Sequence, residues 1–168
     1  MENQRTYKRR GNGQKHGGGK MNYEIENRLN QLQGGGAIQD RLDGLWMDLG
    51  EAAILVLAEL MKDLEARLTT ISAISIENNE TELIYHFAIG SQAVNVKTRT
   101  QANAIPSITT VFKAANWIER ENHDFFGVDF TGHPNLVRLL RPPQLAEGFF
   151  RQPGGAAGAI LRGDKNAI

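Results

Sequence analysis

Two runs of β-forming residues joined by a short connection constrain the fold of this 168-residue chain more than any other feature. The first run extends from Leu83 to Ile89, and the second extends from Ala93 to Thr98, with Val94 and Val96 on one side of the strand. A third run, from Ile71 to Ile76, precedes them. Strands joined by short connections pair antiparallel, because a parallel crossover needs about a dozen residues or more. The sequence therefore predicts an antiparallel meander.

A long apolar stripe precedes the meander. From Leu42 to Leu68 apolar residues recur at three- and four-residue steps, as on one face of a helix. Asp48 followed by Glu51 is typical of a capping arrangement at a helix start. We therefore predict a helix from about Leu49 to Arg67.

A second helical pattern follows the meander. Pro106 predicts its start, and its buried face extends to Ile118. The order helix, three strands, helix predicts a two-layer α+β domain, with a mainly antiparallel sheet of about three to four strands packed by helices. We place this core domain at residues 37–128. Residues 1–36 are predicted to be a basic, glycine-rich tail, disordered from Met1 to Lys20, with one short helical pattern after it, and residues 129–168 an extended C-terminal arm that docks on a partner.

Composition excludes several classes of protein. The chain has no cysteine, so it offers no thiolate nucleophile and no cysteine ligand for an iron-sulfur cluster. Lys plus Arg and Asp plus Glu are both 19, so no net charge attracts nucleic acid or membrane. The longest apolar run, Ala52 to Ala58, is far shorter than the roughly 20 residues that cross a bilayer. With no secretory signal pattern either, we expect a cytoplasmic protein without catalytic, cofactor-binding or metal-binding residues of its own.

Charged and aromatic residues alternate tightly from Trp117 to Leu136. Neighbouring helical positions point about 100° apart, so the charged groups of this stretch fan out and do not converge on one reacting atom. Four-residue spacing instead predicts surface ion pairs between Glu119 and His123 and between Arg120 and Asp124. Because arginine beside aromatic side chains is typical of interface hot spots, we interpret the stretch as a protein-docking surface.

The same stretch resembles the signature of a known family. Its segments are Glu119-Arg120-Glu121, Asp124-Phe125-Phe126-Gly127 and Gly132-His133-Pro134-Asn135-Leu136. They are similar to the 30 kDa-type subunit of respiratory complex I, the NADH:quinone oxidoreductase, in a family shared with energy-converting membrane-bound NiFe hydrogenases and formate hydrogenlyase. The resemblance covers roughly Leu68 to Leu140.

What the resemblance implies is a non-catalytic subunit of the hydrophilic arm with an α+β fold. Its partners would be a large subunit related to the NiFe-hydrogenase large chain and a small iron-sulfur subunit. Those partners would hold the iron-sulfur clusters and, in the hydrogenase branch, a nickel-iron centre, whereas this chain would hold no cofactor. We assign to the partner interface Trp117, Glu119, Arg120, Glu121, Asp124, Phe125, Phe126, Gly127, Gly132, His133 and Arg138.

Departures from the family pattern bear on the branch. Val137 stands where the family usually has a basic or proline residue, and the stretch from Gln144 to Arg151 keeps only three residues of a segment usual in quinone-reducing members. We therefore favour an energy-converting hydrogenase that couples electron transfer to ion translocation. The alternative is the 30 kDa-type subunit of an NADH- or ferredoxin-dependent quinone oxidoreductase. Either subunit would lie peripherally at the cytoplasmic face of the membrane, with membrane contact only through partners.

A more remote alternative is an RNA-binding module. The segment from Met1 to Lys20 carries six basic residues among glycines and would contact RNA through phosphate neutralisation. Outside this alternative we expect no nucleic-acid partner.

Overall fold

The computed structural model of the chain describes residues 19–76 and 80–151. Residues 1–18 lie outside this description, and with them most of the basic segment from Met1 to Lys20 to which the RNA-binding alternative refers. The end of the predicted arm, from residue 152 onward, lies outside it as well.

A five-stranded sheet is the centre of the fold. Its strands are β1 (Gln39–Arg41), β2 (Gly44–Asp48), β3 (Arg67–Ser75), β4 (Thr81–Ile89) and β5 (Gln92–Arg99), in the order β1-β2-β5-β4-β3. Strands β3, β4 and β5 form the predicted antiparallel meander, whereas β2 pairs with β5 in parallel. The α+β class and the mainly antiparallel sheet are therefore confirmed, with five strands in this sheet.

Three helices pack with the sheet into one hydrophobic core. They are α1 (Gly19–Leu29), α2 (Ile54–Asp63) and α3 (Ala115–Phe126). Along β4 every second residue from Thr81 is buried, so one face of the sheet points into this core. Ile25 and Leu29 of α1 and Leu57 of α2 belong to the same buried cluster. The short helical pattern near the N-terminus thus packs on the domain.

The first predicted helix is wrong at both ends. Helix α2 begins only at Ile54, after a 3-10 turn at Glu51–Ala53, and it ends at Asp63, before Arg67 begins β3. The part of the apolar stripe at residues 44–48 forms β2. Leu45 and Leu49 fit a helical stripe because they are four positions apart, but together with Met47 they fit the two-residue period of a strand, and pairing with β5 selects the strand. The Glu51 carboxylate does not cap the helix, because it accepts the Gln101 N–H at 2.6 Å.

The second predicted helix starts later than Pro106. Residues Ala104–Pro106 form β6, which pairs in parallel with β7 (Asp129–Thr131), and α3 begins at Ala115. Proline is tolerated at the end of an edge strand, where its missing N–H is not needed. Phe130 of β7 is 1% exposed, so the hydrophobic core includes a residue beyond position 128.

Within residues 19–76 and 80–151, no helix has both the length and the apolar character needed to span a bilayer.

Candidate partner interface

Helix α3 positions most of the predicted interface residues. Trp117, Arg120, Glu121 and Asp124 lie on one stripe, because they are three or four positions apart. The helix ends where Gly127 takes a left-handed conformation, φ 62°, and donates its N–H to the His123 carbonyl oxygen. This glycine cap turns the chain so that the following segment runs back along the helix.

Glu119 is on the opposite side of α3 and is fully buried. Its Oε2 accepts a 2.6 Å hydrogen bond from Ser107 Oγ, and its Oε1 accepts the Ile108 N–H at 2.8 Å. Burial raises the pKa of Glu119 to about 7, although both hydrogen bonds oppose the rise. The predicted surface pair between Glu119 and His123 is therefore wrong: Glu119 fixes the loop between β6 and α3.

His133 lies beside this carboxylate, with its Nε2 at 4.0 Å from Glu119 Oε2. Its Nε2 is 3.1 Å from the Asn116 carbonyl oxygen, and its Nδ1 accepts the Asn135 N–H at 3.0 Å. Those two contacts require the neutral ring with its proton on Nε2. Burial lowers the pKa of His133, as do the nearby Arg120 and His123 charges, while the Asn116 carbonyl opposes this.

Arg120 and Asp124 bind the chain's own C-terminal segment. Arg120 donates to the carbonyl oxygens of Val137 and Arg138, at 2.9 and 3.0 Å. Asp124 Oδ2 accepts the N–H groups of Leu139, Leu140 and Arg141 at 2.7 to 3.0 Å. The predicted pair between Arg120 and Asp124 is therefore wrong, because both side chains form hydrogen bonds with backbone groups of residues 137–141 instead. We call residues 137–141 the arm segment.

The surroundings of Asp124 favour the charged form of its carboxylate, which binds the arm segment. Its carboxylate is fully buried, and Oδ1 lies 3.8 Å from Arg141 Nε. Burial by itself raises the pKa of Asp124, but the three backbone N–H groups and the Arg141 guanidinium outweigh that effect and lower the pKa below its ordinary value. Asp124 is thus an anion held by the arm segment.

The aromatic residues divide between the core and the surface. Phe125 and Phe126 pack against Phe150, with ring centroids 5.0 and 5.9 Å away, so the residues that follow the arm segment cover much of their surface. Phe130 is in the core. Trp117, in contrast, is 68% exposed. Trp117 is thus the most exposed of these aromatic residues.

The two predicted glycines differ in their surroundings. Gly127 packs against Gly148, and a Cβ added to Gly127 would lie 3.3 Å from the Gly148 Cα. Gly132 also has a left-handed backbone, φ 82°, but a Cβ there would meet nothing within 4 Å. Gly127 thus supports a close backbone approach, and Gly132 only a turn.

The remaining predicted residues, Glu121 and Arg138, are exposed. Residues 137–138 are held against Arg120, which lies between Trp117 and Glu121 on the helix stripe. The arrangement therefore brings three predicted residues and the exposed side chains of Val137 and Leu140 to one side of the domain. We call Trp117, Glu121, Val137, Arg138 and Leu140 the docking face.

The sequence did not reveal two residues whose side chains bind groups of α3 and its end. Ser107 binds Glu119, and Asn103 donates through Nδ2 to the Phe126 and Gly127 carbonyl oxygens at the helix end. The burial of Glu119 could have been predicted from the helical spacing. Ala115, Glu119 and Asn122 are four and three positions apart, so they share the buried face of α3. No local signal predicts Asn103, because its partners are more than twenty residues away.

The two buried carboxylates of α3 have partners within the chain. Glu119 and Asp124, the carboxylates that a catalytic site would use, are buried and hydrogen-bonded to the chain itself. Among residues 19–76 and 80–151, no group of three or more His, Asp or Glu side chains is placed to hold a metal ion.

Comparison with known proteins agrees with the signature. The sequence profile of the respiratory-chain NADH dehydrogenase 30 kDa subunit matches residues 48–153. The chain belongs to this family. The match includes the whole of α3, the arm segment and the docking face.

Curated relatives are similar over a shorter stretch. The NADH-quinone oxidoreductase C subunit of Mesorhizobium japonicum is 45% identical over 62 residues, which is 35% of this chain and 31% of the relative. The mitochondrial NADH dehydrogenase (ubiquinone) iron-sulfur protein 3 of Candida albicans is 42% identical over 65 residues, 37% of this chain and 23% of the relative. The similarity thus reaches less than a third of the length of either relative.

Two solved structures share the fold of this 30 kDa subunit family member. A chain of the membrane-bound sulfane sulfur reductase, an archaeal respiratory membrane complex, superposes with a TM-score of 0.64 at 24% identity, over 74% of this chain and 79% of that one. The trypsin-resistant fragment of Nqo5 superposes with a TM-score of 0.57 at 22% identity, over 69% of this chain and the whole fragment.

Proposed function

We propose that this chain is a non-catalytic, hydrophilic-arm subunit of a membrane-associated, complex-I-like oxidoreductase, and that it binds a larger subunit through its docking face. The observation that carries this proposal is Trp117, an exposed indole on the helix whose Glu119, Arg120 and Asp124 side chains bind groups within the chain. Family membership and the names of the curated relatives support the oxidoreductase assignment.

The composition of the docking face supports a protein partner. Trp117, Val137 and Leu140 are each more than half exposed, and Glu121 and Arg138 place one acidic and one basic group beside them. An exposed aromatic and aliphatic centre with charged residues around it is typical of a surface that another protein covers. Because Arg120 and Asp124 hold the arm segment, the face is formed before the partner arrives, which lowers the entropy cost of binding.

The proposed partners are the large subunit related to the NiFe-hydrogenase large chain and the small iron-sulfur subunit. These partners would carry the clusters and the electron transfer, and this chain would fix their relative placement. We propose a peripheral position at the cytoplasmic face of the membrane, with the membrane contacted only by other subunits.

Two branches of the family fit this proposal. The divergent stretch from Gln144 to Arg151 supports an energy-converting hydrogenase, as does Val137. The names of the curated relatives support the alternative, the 30 kDa-type subunit of an NADH- or ferredoxin-dependent quinone oxidoreductase. The large partner separates the branches, because only a hydrogenase retains the cysteines that bind nickel.

The experiment is to tag the chain at its chromosomal locus, purify it gently with detergent and identify its neighbours by mass spectrometry. We expect a stoichiometric large subunit and a small iron-sulfur subunit. The sequence of the large subunit, with or without nickel-binding cysteines, then selects the branch. Purification of the chain alone, or with unrelated partners, would refute the proposal.

A further inference from the structure

Glu119 connects two loops that are distant in sequence. One loop, residues 107–109, donates the Ser107 hydroxyl and the Ile108 N–H to the carboxylate. The other loop carries His133, whose Nε2 lies 4.0 Å from Glu119 Oε2. Both side chains are inaccessible to solvent. A buried carboxyl group and a buried imidazole therefore face each other without water to screen them.

The His133 ring has one N–H and two acceptors within reach. In this structure Nε2 is 3.1 Å from the Asn116 carbonyl oxygen and 4.0 Å from Glu119 Oε2. Its other nitrogen accepts the Asn135 N–H, and the Asn135 carbonyl oxygen in turn accepts the Val137 N–H at 2.9 Å. The ring is thus connected by hydrogen bonds to the start of the arm segment.

We propose that Glu119 and His133 form a proton-controlled switch. When Glu119 is protonated, His133 donates to the Asn116 carbonyl oxygen. When Glu119 is an anion, the His133 Nε2–H moves to its carboxylate, and the bond between Asn135 N–H and His133 Nδ1 weakens. The position of residues 133–137 then depends on one proton.

Other groups around Glu119 and His133 determine which of the two side chains titrates. Tyr85 of β4 is fully buried near Glu119, and its hydroxyl keeps its proton because burial, reinforced by the Glu119 charge, raises the Tyr85 pKa. The charges of Arg120 and His123, on the same helix as Glu119, disfavour a positive charge on His133. Ser107 and Ile108 complete the shell with neutral donors. The imidazole therefore stays neutral while the carboxyl group titrates.

The transition between the two His133 contacts is expected near neutral pH. Burial raises the Glu119 pKa to about 7 and lowers that of His133, so the carboxyl group ionises beside a neutral ring. A buried anion is costly even with two hydrogen bonds, and the His133 Nε2–H, 4.0 Å from Glu119 Oε2, is a further donor within reach. The pH dependence follows: the Asn116 contact dominates below the Glu119 pKa and the Glu119 contact above it.

The test follows the His133 ring and the backbone around it in the full-length chain. Nitrogen-15 and proton chemical shifts of His133 are recorded across the neutral pH range, together with hydrogen exchange of the Asn135 amide, corrected for intrinsic rates. We expect the Nε2–H signal to move with a midpoint at pH about 7. Protection of the Asn135 amide should fall about fivefold, as for the loss of one typical hydrogen bond.

Three variants make the test specific. Glu119→Gln removes the titrating group and should abolish the transition. Ser107→Ala removes a donor that stabilises the anion and should move the midpoint to higher pH. Glu147→Gln removes the partner of His123, whose Nε2 is 3.2 Å from Glu147 Oε2, and should leave the transition unchanged.

A flat titration of the wild type would overturn the switch, even if Glu119→Gln failed to fold. A transition that persists in Glu119→Gln, or that disappears in Glu147→Gln, would overturn it as well. The switch is internal to this chain, so its test needs no partner, and its outcome is separate from that of the docking experiment.

Discussion

Gly127 and Gly148 meet backbone to backbone at the end of α3. Both have positive φ, 62° and 70°, and the Gly148 N–H donates to the Asp124 carbonyl oxygen at 3.1 Å. The helix cap and the return of the C-terminal segment therefore share one contact, in which a Cβ on Gly127 would be tight.

Substitution of Gly127 should destabilise the domain more than substitution of a glycine that only turns the chain. In Gly127→Ala the left-handed backbone costs about 1–2 kcal/mol, and the new Cβ meets Gly148 Cα at 3.3 Å. In Gly132→Ala only the backbone cost applies, because the Cβ enters open space. Denaturant unfolding should give a loss of roughly 2–3 kcal/mol for Gly127→Ala and about 1 kcal/mol for Gly132→Ala. Equal losses would mean that the glycine contact contributes nothing.

Stability should depend on pH through Glu119. The pKa of Glu119 is raised from 4.5 to about 7 in the folded state, so its contribution is fully present below pH 4.5 and is lost as pH rises through 7. The shift corresponds to a loss on the order of 3 kcal/mol above that range. Glu119→Gln mimics the protonated group and should remove this dependence. Urea unfolding across that pH range measures it, with the exposed Glu121→Gln as control. The same slope in both variants would contradict the assignment.

Asp124 should hold the arm segment as an anion. Its pKa is lowered, so it stabilises the fold above its ordinary pKa of 3.8 and loses that contribution as pH falls through the folded value. Asp124→Asn removes the charge from three backbone hydrogen bonds and should cost about 1–3 kcal/mol. Hydrogen exchange of residues 139–141 at neutral pH should accelerate in Asp124→Asn and stay unchanged in the exposed Asp129→Asn. Unchanged protection in Asp124→Asn would show that other contacts hold the segment.

The sequence predicted the meander, the class and the family, because these depend on local alternation and on a continuous signature. It did not predict β2, since Leu45 and Leu49 continue the helical stripe and the two-residue period that they form with Met47 was not distinguished from it. It also did not predict the partners of Arg120 and Asp124. Four-residue spacing offered each of them a charged neighbour, but both bind backbone groups that come near only after the helix cap turns the chain. Long-range contacts of this kind have no periodicity, so a single sequence does not reveal them.

The docking face should tolerate loss of Trp117 without loss of stability. The indole is 68% exposed, so Trp117→Ala should change the free energy of unfolding by no more than about 0.5 kcal/mol. Tyr23→Ala is a matched control, because Tyr23 is 67% exposed on a different helix, α1. Thermal or urea unfolding of both variants establishes that any effect on assembly comes from the surface itself.

Co-purification of the large subunit with tagged Trp117→Ala, compared with Tyr23→Ala and wild type, tests the docking face most directly. Loss of a central aromatic anchor typically costs about 2 kcal/mol or more, so Trp117→Ala should weaken affinity about thirtyfold, and recovery of the large subunit near the wild-type dissociation constant should fall about fifteenfold. Tyr23→Ala should recover it at the wild-type level. Equal recovery of the large subunit by all three proteins would contradict the account.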